Sequence, residues 1–427
     1  MSKEKERVPF FKVDGHNYLL PFILLTILFL MWGLANNMTD TLLAAFKKIM
    51  SMTDFQTSKI QLAFYGSYFC LALPAALFIK KFSYKSGVLL GLGMFILGAL
   101  LFYPASNTQV YGHFLVALFI LAGGLSILET SSNSYVIFLG PKETATRRLN
   151  LAQSFNPIGS IIGVVLSKYF ILSNLNQASA ADRAAMTQEQ LNVVQTAELN
   201  AVMGPYVGVA AVLLVIWLLI AFSKMPKAVD SGSLNFGATI RRLIKNPNYV
   251  SGVVAQFFYV GAQIGVWSFT IRYVMKELSL NEGQASDYYI AALVAFTLSR
   301  FVFTGLMKYF KPGTLLSSSA ILALLSTLIV IFGSGMVAVI ALVSISGFMS
   351  LMFPTIFGQA VQGLGDDTKI GGSGLIMAIL GGAVLTAIQG QISDVTGNIH
   401  YSYLVPLFCF VVIAFYGFYS NRHRPVS

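Results

Sequence analysis

Residues 19–46, LLPFILLTILFLMWGLANNMTDTLLAAF, decide the fold class. No charged residue interrupts this stretch before Asp40. About 20 apolar residues in a helix cross the ~30 Å hydrocarbon core of a bilayer. The stretch therefore predicts a membrane-spanning helix. Its polar tract WGLANNMTD would place hydrogen-bonding groups within the membrane.

Similar apolar runs continue along the whole chain of 427 residues. The chain is 56% hydrophobic and only 11% charged, whereas soluble domains carry roughly twice that charged fraction. Length and composition together predict an all-α membrane protein with twelve transmembrane helices. The predicted spans cover residues 19–46, 57–79, 86–105, 111–139, 147–173, 201–223, 249–275, 284–307, 313–333, 336–362, 370–393 and 401–420.

The predicted spans form two groups of six. Residues 1–223 hold the first six-helix bundle, residues 224–248 form a basic linker, and residues 249–427 hold the second bundle. Most of the 28 Lys and Arg residues fall on the side of the predicted membrane that holds both termini, so both termini are predicted to be cytosolic. Each half also has a short basic turn after its second span, LFIKKFSYKSG and GLMKYFKPG, which suggests a repeat.

Two acidic residues lie well inside predicted spans, Asp40 in the first and Glu129 in the fourth. A charge at the bilayer centre costs about 2.5–3.5 kcal/mol on insertion scales, so it normally faces a cavity or a partner. Burial disfavours the charged form of a carboxyl group, and no histidine lies centrally in a predicted span. We therefore predict that Asp40 and Glu129 couple transport to protons.

Amides and aromatic rings in the spans predict a site for a neutral sugar. Amides and carboxylates exchange hydrogen bonds with hydroxyl groups, and a ring can cover an apolar C–H face. The alternative is that these residues bind no ligand. The amides would then only join helices, at about 0.6 kcal/mol per bond, and the rings would only pack against neighbouring side chains. The predicted substrate-binding residues are Asn36, Asn37, Glu129, Asn133, Gln153, Asn156, Tyr259, Gln263 and Trp267.

Two further features of the spans concern backbone and charge. Pro157, in LAQSFNPIG, removes a backbone donor and disfavours helical geometry at Asn156, which predicts a kink in the fifth span. Arg300, in LSRF, lies near the inner end of the eighth span, and we predict a structural or gating role for it.

Six motifs together resemble the L-fucose permease branch of the major facilitator superfamily, and they extend from the first span to the eleventh. They are WGLANNMTD, LETSSNSYV, RLNLAQSFNPIG, AQFFYVGAQIGVWSF, FMSLMFPTIF and LGDDTKIGGSG. The resemblance implies the major facilitator fold and proton-coupled sugar uptake across a bacterial inner membrane. It also implies that Asp40 and Glu129 serve proton coupling and sugar recognition, and that Asn37, Gln153 and Asn156 line the cavity. Ser134 departs from the family, which often has proline there.

The sequence leaves the sugar open. Members of the branch are associated with L-fucose, with glucose or galactose, and with N-acetylhexosamines, and the first-span aspartate and amides favour L-fucose. A facilitator or drug exporter of the same fold is a second possibility.

A membrane enzyme is a third possibility, which the sequence disfavours. It would need a metal cluster or a catalytic set, and the adjacent Asp366 and Asp367 point to different sides of a helix. We expect no enzymatic activity, no cofactor, no metal and no nucleic acid, and a monomer in the lipid bilayer.

Overall fold

The computed structural model describes residues 10–13, 16–49, 54–108, 110–171, 176, 180–226 and 236–422. Within these residues one antiparallel hairpin, β1 (Lys12–Val13) with β2 (His16–Asn17), precedes the helices. The helices up to the linker are α1 (Leu19–Ile49), α2 (Asp54–Lys81), α3 (Tyr84–Thr108), α4 (Tyr111–Phe138), α5 (Ala145–Gln153), α6 (Asn156–Phe170), α7 (Ala180–Ala185) and α8 (Gln188–Phe222).

The remaining helices begin within the linker. They are α9 (Phe236–Lys245), α10 (Pro247–Leu278), α11 (Glu282–Leu306), α12 (Pro312–Phe332), α13 (Gly335–Met349), α14 (Met352–Ala360), α15 (Thr368–Met377), α16 (Gly381–Thr396), α17 (Ile399–Ser402) and α18 (Leu404–Arg422). In the described part of the chain, twelve helical stretches are long and apolar enough to cross a membrane. The predicted all-α membrane architecture is therefore confirmed.

Three of the predicted spans consist of two helices each. The fifth is interrupted at Ser154–Phe155, between α5 and α6, which confirms the kink expected from Pro157. The tenth is interrupted at Ser350–Leu351, between α13 and α14, and no break was predicted there. The eleventh changes to a short 3₁₀ turn, Ala378–Leu380, between α15 and α16.

The described residues between the fifth and sixth predicted spans are partly helical. Thr187 caps α8 in a reciprocal capping box with Gln190, so this helix begins well before residue 201, where the sixth span was predicted to begin, and that boundary was wrong. The preceding α7 is tied to α8 by a buried ion pair, in which Arg183 Nη2 lies 2.6 Å from Glu198 Oε1.

The linker also contains a helix. α9 begins at Phe236 and is held to the start of the eleventh span by Arg242, whose Nε donates to Asp367 Oδ2 over 2.7 Å. The same carboxylate accepts a hydrogen bond from the Thr239 hydroxyl. Part of the linker is therefore helical and is bonded to the start of the eleventh span.

By packing, the described chain divides into two compact units. One is drawn from segments 1–23, 133–154 and 228–427, and the other from segments 24–132 and 155–227. One limit of this division falls at the Ser154–Phe155 break. The predicted bundles 1–223 and 249–427 stay a prediction.

Close contacts at glycine fix several helix pairs, among them α1 with α6 in one unit and α10 with α16 in the other. A Cβ on Gly159 of α6 would lie 1.8 Å from the carbonyl oxygen of Leu30 in α1, so the two backbones touch. In the other unit a Cβ on Gly381, at the start of α16, would lie 2.0 Å from the carbonyl oxygen of Phe257 in α10. Small residues allow such approach in membrane bundles, where packing and not hydrophobicity drives helix association.

We expect Gly159→Val to destabilise the protein, because its side chain would collide with the backbone of α1. The cost should be at least about 1–3 kcal/mol, the usual penalty for overpacking. Gly208→Val is the matched control, since a Cβ there meets no other atom within 4 Å. Thermal unfolding of the two purified variants in detergent measures the difference. Equal melting temperatures would contradict the packing described above.

Candidate functional site

Glu129 of α4 is almost fully buried, with 3% of its surface exposed. Its carboxyl group shares a hydrogen bond with the Tyr68 hydroxyl of α2, which is also hydrogen-bonded to the indole of Trp32 in α1. An indole N–H can only donate, so the chain runs from Trp32 to Tyr68 to Glu129. Glu129 Oε2 has no hydrogen-bond partner among the described residues. One carboxylate oxygen is thus held in place and the other is available.

The second predicted proton-coupling residue, Asp40, falls within α1. Its side chain lies outside the described residues, as do those of 39 and 41–48. The role predicted for Asp40 therefore stays a prediction.

The predicted amides of α1 and α6 differ in their surroundings. Asn156 Nδ2 donates to the carbonyl oxygen of Phe29 over 3.2 Å, so this amide joins the two helices. Asn37 is half-buried, and its Cβ lies against Gly163 of α6. Asn36 Oδ1 is buried and has no partner among the described residues. Of these amides, Asn36 has an acceptor free for a ligand.

Asn133 and Gln153 are brought together. Gln153 Nε2, on α5, donates to Asn133 Oδ1, on α4, over 2.7 Å. Both side chains are buried, and Asn133 Nδ2 has no partner in the described part of the chain. The hydrogen bond from Gln153 therefore fixes the orientation of the Asn133 amide. The Asn133 Nδ2 group remains available as a donor.

Three predicted residues occupy successive turns of α10. Tyr259 is fully buried, its ring centroid lies 6.1 Å from that of Phe353, and its hydroxyl has no partner within the described chain. Trp267 donates from its indole to Ser346 Oγ over 3.2 Å. Gln263, which lies between Tyr259 and Trp267 in the sequence, is half-buried. Helical spacing gives these residues a common face, as predicted.

This chemistry suits a proton and a polar, uncharged ligand. Glu129 and Asn133 are one turn apart on α4, so an available carboxylate oxygen and an available amide donor share a helix face. In the other unit from Glu129, the Tyr259 hydroxyl can donate or accept a hydrogen bond. The described residues contain no group of three or more His, Cys, Asp or Glu side chains that could hold a metal ion.

Known proteins with this sequence pattern are transporters. The family described as Major Facilitator Superfamily matches residues 21–386. An L-fucose-proton symporter of Haemophilus influenzae is 41% identical over 420 residues, covering 95% of this chain and 98% of the relative. One from Escherichia coli is 40% identical over 415 residues, covering 96% and 95%. The chain belongs to the L-fucose permease branch of the major facilitator superfamily.

Other comparisons agree with membership of this permease branch. A glucose/galactose transporter of Brucella abortus is 34% identical over 408 residues and covers 95% of each chain. A crystal structure of the transporter FucP, in the outward conformation, matches with a TM-score of 0.90 at 40% identity, covering 94% of this chain and 99% of that one. The predicted major facilitator fold is confirmed.

Sequence reasoning missed one residue next to the candidate site and underused another. Tyr68 is an ordinary tyrosine in an apolar span, and nothing in its neighbourhood predicts a bond to Glu129. Arg300 was assigned a structural or gating role, and the structure shows it donating to backbone carbonyl groups of two other helices. Pro157 and Pro354 indicate breaks in two spans, but nothing in the sequence indicates that Arg300 bonds there.

We expect Tyr68→Phe to destabilise the protein by about 1–3 kcal/mol, because it leaves the buried Glu129 carboxyl without its hydroxyl partner. In a Glu129→Leu background the same change should cost less, since the acceptor is already gone. Thermal unfolding of the four proteins gives the coupling. Tyr103→Phe, at an exposed tyrosine, is the control. Equal losses in both backgrounds would show that Tyr68 does not support Glu129.

Proposed function

We propose that this protein carries a neutral monosaccharide, L-fucose, into the cell together with a proton. The observation that carries the proposal is the placement of Glu129. It is a buried carboxylate with one oxygen held by Tyr68 and the other available, one helical turn from the Asn133–Gln153 amide pair. Relatives at 40–41% identity along nearly the whole chain are L-fucose-proton symporters, which supports the same cargo here.

The proposed mechanism depends on charge. An ionised carboxylate at membrane depth is costly to move, and protonation removes that cost. Protonated Glu129 can also donate to a sugar hydroxyl, so loading of the proton and of the sugar favour each other. Asp40 is the more purely proton-linked group. The loaded carrier then exchanges access between the two sides of the membrane.

The proposed sugar contacts divide by chemistry. Asn133 and Gln153 exchange hydrogen bonds with hydroxyl groups, with Asn36, Asn37 and Asn156 as further candidates. The rings of Tyr259 and Trp267 cover an apolar face of the sugar, with the amide of Gln263 on the same side of α10.

The proposed setting is the inner membrane of a bacterium. The protein would act as a monomer, with both termini in the cytosol and with six-helix halves at 1–223 and 249–427. The relatives are transporters, so an enzymatic role has no support among them.

Glucose or galactose is the alternative cargo, favoured by the 34% identical glucose/galactose transporter. Uptake of radiolabelled L-fucose into vesicles, with glucose, galactose and N-acetylglucosamine as competitors, separates the two. We expect unlabelled L-fucose to compete best and a proton gradient to drive accumulation. Alkalinisation of the medium on sugar addition distinguishes symport from a facilitator. If L-fucose accumulates equally with and without the proton gradient, the symport proposal is refuted.

We expect Asp40→Asn to abolish proton-driven accumulation and to leave sugar exchange across the membrane intact, because exchange returns the carrier loaded and needs no deprotonation. Glu129→Gln should impair both accumulation and exchange, since it alters a sugar contact as well. The measurements are uphill uptake and counterflow in the same vesicles. Asp287→Asn, at an exposed acidic residue, is the control. Undiminished uphill uptake by Asp40→Asn would refute its assignment.

A further inference from the structure

Two prolines, Pro157 and Pro354, lie just after the breaks in the fifth and tenth spans, whereas Pro74, Pro104 and Pro205 lie inside unbroken helices. In a regular helix each N–H bonds the carbonyl group four residues earlier, and proline has no N–H. Pro157 therefore leaves the carbonyl of Gln153 without its helical donor, and Pro354 does the same to the carbonyl of Ser350. These carbonyls lie at the two breaks, where α5 and α13 end. In hydrocarbon such groups must find partners within the protein.

Arg300 supplies a donor to both of these carbonyl groups. Its Nη1 donates to the Gln153 oxygen over 2.9 Å, and its Nε donates to the Ser350 oxygen over 2.5 Å. The side chain is 4% exposed, and its guanidinium lies 4.6 Å from the ring centroid of Phe296. A guanidinium presents several donors in a fixed planar fork, so it can serve two acceptors at once.

The charge of Arg300 is offset by helix ends. In the described chain it forms no ion pair with a carboxylate. The last carbonyls of a helix carry a partial negative charge, and α5 and α13 both end at the guanidinium. Two hydrogen bonds and two helix termini therefore take the place of a buried counter-ion.

We infer that Arg300 is a positioning residue that replaces the two backbone donors removed by Pro157 and Pro354. By fixing the carbonyl of Gln153 it also fixes the position of the Gln153 side chain, whose amide holds Asn133 over 2.7 Å. The effect on sugar binding rests on the proposed function. The replacement of backbone donors does not, and it is tested separately.

A double-mutant cycle distinguishes this role from ordinary packing. Arg300→Met keeps an apolar side chain against Phe296 but leaves both carbonyls without donors. Replacing Pro157 and Pro354 by alanine restores an N–H to each break, so each carbonyl can bond across the break to the next helix of its own span. We expect Arg300→Met to lower the melting temperature strongly in the natural background and much less in the Pro157→Ala/Pro354→Ala background.

Equal drops in both backgrounds would overturn the inference. Arg272→Met is the matched control, because Arg272 also stacks on a phenylalanine, at 4.3 Å from the Phe269 ring, and has no proline-linked role. Its loss should cost the same in both backgrounds. If Arg300→Met yields no folded protein, Arg300→Lys takes its place in the cycle. An ammonium group lacks the fork, so either proline replacement should then restore part of the stability.

Equilibrium binding of L-fucose to the purified proteins tests the link to the site. Arg300→Lys should weaken binding about tenfold, the effect of losing about one hydrogen bond to a charged group. Adding Pro157→Ala should restore binding more than adding Pro354→Ala, because Pro157 alone governs the Gln153 carbonyl. Equal restoration by the two would refute the positioning of Gln153. If the natural protein binds no fucose, the proposed function fails, while the stability cycle still decides the role of Arg300.

Discussion

Hydrocarbon offers no hydrogen bonds, so every backbone N–H and C=O at membrane depth must be satisfied within the protein. An unbroken helix meets this demand alone except where it contains a proline, as α2, α3 and α8 do, and most of the spans are single helices. At the α5–α6 and α13–α14 breaks a proline removes a donor, and a side chain from α11 replaces it. At these two breaks the irregular backbone includes fully buried residues, Ser154 and Ser350. In transporters, such discontinuous helices are where binding groups concentrate.

The same requirement for hydrogen-bond partners shows which side-chain atoms remain available to a ligand. Glu129 and Asn133 each have one polar atom engaged by a neighbour and one without a partner among the described residues. Leaving a buried polar atom unsatisfied costs about 1–3 kcal/mol. A ligand hydroxyl, which both donates and accepts, would remove that cost at Glu129 and at Asn133. Asn156 shows the contrast, because its amide nitrogen is engaged by the backbone of Phe29.

The sequence predicts the structural features that depend on local chemistry. It does not predict the contacts that depend on how each helix is oriented about its axis. The number of spans follows from apolar length, and the break before Pro157 follows from its missing N–H. Pro354 gave the same signal at the other break, but the donor that makes a break tolerable lies in a different span. Asn133 and Gln153 were both expected at the site. Their mutual bond depends on how α4 and α5 are turned toward each other, which tertiary packing decides. The bond from Tyr68 to Glu129 was missed for the same reason.

The two glycine contacts bear on the predicted repeat more strongly than the basic turns do. Gly159 brings the fifth span against the first, and Gly381 brings the eleventh against the seventh. Counted within each half, these are the same two spans, the fifth and the first. A basic turn can follow any helix for reasons of topology, whereas backbone contact between corresponding helices requires a small residue at a specific place in each half. The two breaks do not fall in corresponding spans, because Pro157 lies in the fifth span of its half and Pro354 in the fourth. The glycine contacts therefore support the predicted repeat, and the breaks do not.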